Sequence, residues 1–162
     1  MPVDMFMKIG DIKGESKDKV YKDWIDVLSW SWGMTQSGTM HVGGGGGSGK
    51  VSVQDMSFTK YVDTSSSNLM LKCCNGKHYP EASLIVRKAG ENPLEYLKIK
   101  MTDVLISSIS TGGSGGEDRI TENVGLNFAK VEVEYTPQEQ TGAAGGGLGF
   151  EWNIAENAGS GS

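Results

Sequence analysis

Along most of the chain, apolar and polar residues alternate with a period of two, the pattern of a strand whose two faces meet different surroundings. Val3, Met5, Met7 and Ile9 alternate with Asp4, Phe6 and Lys8 and predict a first strand. A charged connection runs over 10–23. A long strand is expected over 24–36, with Leu28, Trp30, Trp32 and Met34 on a bulky apolar face and Val27, Ser29, Ser31 and Gly33 on a small, polar one. Further strands are predicted over 50–62, 78–88 (Ala82, Leu84 and Val86 inward), 94–110 and 119–136, and a short one at Phe150, Trp152 and Ile154. The strands over 50–62, 94–110 and 119–136 each change parity midway, for example from Leu97, Ile99 and Met101 to Val104 and Ile106. A parity change needs a bulge or a change of buried face, so such strands bend to serve two packed layers or curl one sheet.

A single helix is expected, capped by Asp63 or Thr64 and stopped by Asn75-Gly76. Leu69, Met70 and Cys73 would share its inner face. The fold class is therefore mainly β: a small β-barrel or sandwich of two sheets with one flanking α-helix. One domain over 1–157 is expected, and 158–162 reads as a linker-like tail or a scar left by expression.

Composition narrows the function. The chain has 162 residues with 15 basic against 20 acidic side chains, a net charge of −5. A nucleic-acid binder needs a concentrated basic face, so that class is disfavoured. No run of about 18 apolar residues predicts a membrane span, and no signal peptide is legible at Met1–Phe6. Cys73 and Cys74 are adjacent, so they do not staple distant segments.

Candidate chemistry is sparse. Gly44–Lys50 fits the outline of a phosphate-binding loop, but position 51 is Val where Mg²⁺ needs a hydroxyl, and a strand follows where a helix is required. His41 and His78 lack partners at metal-ligand spacing, so no metal or other cofactor is expected. A hydrolase using His78 with Cys74, and a monomeric sandwich binding glycans through Trp30 and Trp32 (roughly 7 Å apart on one strand face), are the competing readings. The chain is read as not an enzyme.

Several collinear segments resemble one family. They are 4–11 (DMFMKIGD), 13–19 (KGESKDK), Trp30-Ser31-Trp32-Gly33, Gly76-Lys77-His78-Tyr79-Pro80, 111–119 (TGGSGGEDR), Leu126-Asn127-Phe128-Ala129 and Trp152-Asn153-Ile154. Together they look like the haemolysin-coregulated protein (Hcp) family, the tube subunits of bacterial type VI secretion. The resemblance implies a β-barrel assembled as a homohexameric ring, with rings stacked as the inner tube. It implies a spike protein beneath, a sheath around and effector proteins in the lumen as partners. It also implies assembly in the cytoplasm and export without a signal peptide. In that setting Ser29 and Ser31 are expected to face the lumen and its cargo. The glycine loop Gly43, Gly44, Gly45, Gly46, Gly47 and Ser48 would order against the next ring. The charged loop carrying Glu15, Lys17, Asp18 and Lys19 would register against a neighbouring subunit.

Overall fold

The structure, a computed structural model, describes residues 3–38, 50–90, 93–137 and 147–162. Alternating burial produces the first strand, β1 (Val3–Ile9), as predicted. The long strand expected over 24–36 is instead three short ones: β2 (Ile25–Asp26), β3 (Ser29–Ser31) and β4 (Met34–Thr35). The cause is a change of partner. Val27 donates its N–H to Met5 O of β1, and Leu28 donates to Thr59 O. The face exchanges at the same point, so Ile25 and Val27 are buried while Leu28 and Met34 are exposed. Likewise the strand predicted over 50–62 divides into β5 (Ser52–Val53) and β6 (Met56–Tyr61), which is where its parity changed.

The helix α1 spans Ser66–Asn75, and Gly76 ends it in the left-handed conformation. Its N-cap is Ser65, not Asp63 or Thr64. Asp63 stands two residues back, where its Oδ1 accepts the Ser65 N–H at 2.9 Å. Leu69 is fully buried and Cys73 packs against the core, but Met70 is 40% exposed, contrary to the expected inner face.

The remaining strands are β7 (His78–Lys88), β8 (Leu94–Gly112), β9 (Thr121–Tyr135), β10 (Leu148–Asn153) and β11 (Ala158–Gly161). The main sheet runs β11-β10-β9-β8-β7-β1-β2, all antiparallel, and β6 also pairs with β9 and carries β3. The β4–β5 hairpin forms a second, small sheet. Among the described residues no ladder closes the main sheet. One stretch of chain, Ile25–Ser31, pairs with β1 through β2 and, on the branch from β9, with β6 through β3. The residues read as a tail, Ala158–Gly161, lie as β11 against β10.

The parity changes of the long strands coincide in space. On β8 the change falls at Asp103, whose φ is +54°, a left-handed conformation. On β9 it falls at Ala129, opposite, whose carbonyl turns away to accept the Ile154 N–H. A second irregularity between Ile106 and Ser108 sets Ser107 and Ser108 against Gly125. The bend lets Ile99, Met101 and Val131 share one core with Val104, Leu126, Met56 and Phe58. A second, smaller cluster lies on the opposite side of β1. There Phe6, Tyr21 and Ile85 pack with Trp24, so the charged connection is itself anchored by aromatic rings.

Candidate functional site: the polar wall and the charged loop

Ser29 and Ser31 lie exposed on β3, with Trp30 between them turned toward the core. Strand pairing extends their surface across three more strands. One row runs Ser29, Thr59, Asn123, Ser110 and the next runs Ser31, Ser57, Gly125, Ser108. At strand spacing the wall is about 14 Å wide. It is hydroxyl- and amide-rich. Thr59 Oγ1 donates to Asn123 Oδ1 at 2.7 Å. Asp55, the carboxylate set into this wall, accepts from Ser107 Oγ at 2.6 Å and from Asn127 Nδ2 at 2.9 Å. Leu105, half-buried at the margin, is its apolar exception. The sequence pointed to two of these serines, but the wall itself is created by register between β3, β6, β9 and β8.

Gly125 is the flat point of the wall. A Cβ there would meet Ser108 Oγ at 2.4 Å and Ser107 Oγ at 3.1 Å, so a side chain at this position would have to displace the two hydroxyls.

The charged loop divides. Glu15, Lys17 and Lys19 are exposed. Asp18 turns inward, and its carboxylate accepts from Arg87 Nη2 at 2.6 Å and Nη1 at 3.2 Å, and from the Val20 and Tyr21 N–H groups. Those bonds from Arg87, with help from Val20, hold the Asp18 carboxyl below the ordinary range despite some desolvation. Arg87 also bonds Asp4 and lies over the Phe6 and Tyr21 rings. Asp18 therefore serves the loop's own shape, and Glu15, Lys17 and Lys19 remain available to a partner. The expected ring-stacking residues Gly43–Ser48 lie outside the described residues.

Trp30 and Trp32 do not form a bare platform. Both pack against the core, Trp32 lies 6.2 Å from the Phe128 ring, and its Nε1 donates to Gln54 O at 2.9 Å. His78 opens β7 opposite Leu105, and Cys74 is exposed in the last turn of α1, with no hydrogen bond joining the two among the described residues. Strand β5 follows Lys50, where a phosphate-binding loop requires a helix. No helix among the described residues is long and apolar enough to cross a membrane.

A buried ion pair escaped sequence reading. Lys60 and Glu122 are both fully buried, with Lys60 Nζ 2.6 Å from Glu122 Oε2. Lys60 also donates to Tyr61 O and Ser66 Oγ and lies 3.0 Å from Asp63 Oδ1, while Ser66 Oγ donates to Glu122. The cluster fastens the first turn of α1 to β6 and β9. In the sequence, Lys60 and Glu122 look like the polar positions of alternating strands. Nothing local marks that the helix start covers them.

The family model for "Type VI secretion system effector, Hcp" matches residues 6–135. Protein hcp1 of Pseudomonas aeruginosa is 65% identical over 159 residues, covering 97% of this chain and 98% of that protein. The crystal structure of Hcp1 from Salmonella typhimurium superposes with a TM-score of 0.83 at 42% identity, covering 99% of this chain and 100% of that one. A solved type six secretion system protein reaches 0.91 at 31% identity over 98% of this chain and 100% of its own. With the bent, helix-flanked β fold already drawn from the residues, these likenesses settle the family: the chain belongs to the Hcp proteins of type VI secretion.

Proposed function

We propose that this chain is a structural subunit that closes into a homohexameric ring, that its rings stack as the inner tube of a type VI secretion system, and that the lumen carries effector proteins. Membership of the Hcp family supports the tube. The observation that carries the lumen reading is the hydroxyl- and amide-rich wall across β3, β6, β9 and β8, with Asp55 as its carboxylate. A conduit that must release its cargo needs weak, exchangeable polar contacts, and an apolar wall would hold partners. Ser29 and Ser31 sit at the β3 margin of that wall. The glycine loop Gly43–Ser48 is proposed as the stacking contact and Glu15, Lys17 and Lys19 as contacts between subunits. The spike, the sheath and effector proteins are the proposed partners. Assembly takes place in the cytoplasm, before export by the secretion system.

Native mass tests the ring. Six copies of a 17.3 kDa chain give about 104 kDa by light scattering, with six-fold rings in negative stain. A monomer at every concentration tried refutes the proposal.

A further inference from the structure

The carboxylate of the polar wall is held in place by neutral groups. Asp55 stands exposed in the link between β5 and β6. Its Oδ1 accepts from Asn127 Nδ2 of β9 at 2.9 Å and its Oδ2 from Ser107 Oγ of β8 at 2.6 Å. These bonds fix the direction of the carboxylate without requiring its charge. A neutral amide at position 55 has the acceptor and the donor to bond the same hydroxyl and amide. No ion pair among the described residues involves Asp55. An ionised carboxylate offers about four lone-pair positions, and the two bonds occupy half of them.

The wall beside it does not offset the charge. Ser57 and Thr59 follow on β6, with Ser31 and Ser29 opposite them on β3 and Gly125 and Asn123 on β9. At the other end of β6, Arg119 lies over the Tyr61 ring, its Cζ 3.8 Å from the centroid. Tyr61 is up to roughly 20 Å from Asp55 along the strand. That is about two screening lengths at 0.1 M salt, so Arg119 does not neutralise Asp55. The charge of Asp55 therefore serves neither the local bonds nor an ion pair within the chain. An exposed, oriented carboxylate with free lone pairs is suited to a cation, above all to a guanidinium that can meet both oxygens. The hydroxyls around it accept and donate equally and do not discriminate by charge.

We propose that Asp55 selects what the lumen carries, favouring effector proteins that present arginine or lysine at the contact surface. The inference rests on the lumen reading above and names the chemistry of the cargo. Each copy in a ring repeats the carboxylate at one level, so an acidic surface is repelled all round. Each contact stays exposed to water and is weak by itself, as release requires. Repetition around the ring supplies the retention that one contact lacks.

Fluorescence anisotropy of labelled hexa-arginine and hexa-glutamate peptides on wild-type rings tests it, at about 50 mM and about 300 mM salt. Hexa-arginine should bind, more weakly at the higher salt, and hexa-glutamate should not. Asp55→Asn keeps the shape and the bonding groups and should weaken hexa-arginine about fivefold at the lower salt, with rings still at about 104 kDa. Glu81→Gln removes the same charge away from the wall, where Glu81 lies 3.8 Å from Lys100, and should leave the affinity unchanged. Equal weakening by both variants means a general charge effect and overturns the proposal. So does an Asp55→Asn ring that binds like the wild type, or equal binding of the two peptides. Rings lost in Asp55→Asn make Asp55 an assembly residue and overturn it too. A monomeric wild type instead overturns the ring reading itself.

Discussion

Substituting Lys60 by Met tests how the helix is fixed to the sheet. The Lys60 ammonium is fully buried with three donors, and oxygens of Glu122, Tyr61, Ser66 and Asp63 surround it within 3.2 Å. Met keeps most of the side-chain volume and removes the charge. The Glu122 carboxylate then stays buried with only the Ser66 and Thr111 hydroxyls to satisfy it. Breaking a buried pair from one side typically costs about 3–5 kcal/mol, because the surviving charge is left without compensation. For a chain of this length that lowers the melting temperature by roughly 6–20 °C. The assay is urea unfolding at one fixed protomer concentration, since assembly would otherwise alter the apparent stability. Lys60→Met with Glu122→Leu removes both charges and should recover most of the loss, because apolar replacements of a whole buried pair are often neutral or better. A loss under about 1 kcal/mol for Lys60→Met alone would refute the reasoning, as would a double variant no better than the single one.

Asp18→Asn removes a carboxyl whose pKa is held down by Arg87. A depressed carboxyl contributes stability that is fully present above its unfolded value, about 4, and is lost as pH falls through the lower folded value, so urea midpoints measured from pH 7 to 2 should show a shallower acid limb in the variant. Gly10→Ala meets two obstacles, a φ of +53° and a Cβ placed 2.2 Å from the Tyr79 ring; it should lose at least about 2 kcal/mol in the same assay. Ser31→Gln lengthens an exposed side chain in the polar wall, so rings should persist in negative stain while co-purified effector changes in amount. Broken rings would remove Ser31 from the lumen wall.

The chain by itself determined the kinds of element and the need for a bend. Period-two alternation placed β1 and β7 at their observed bounds, and Asn75-Gly76 ended the helix where the left-handed turn lies. The parity changes announced bends in β8 and β9, because a core cannot tolerate a face exchange without one. Local sequence could not say that the two bends lie opposite each other at Asp103 and Ala129, since strand register is a relation between distant residues. For the same reason Ser29 and Ser31 were legible as small and polar, but the wall they join arises only when β3, β6, β9 and β8 align. Lys60 and Glu122 looked like solvent-facing positions until the start of α1 covered them. Asp18 looked like one charge among several in the 10–23 connection until Arg87 closed on it from β7. Periodicity records whether a residue faces in or out of its own element. Which neighbour covers that face is decided by packing, and at Lys60, Glu122 and Asp18 packing turned a polar position into a buried or tethered one.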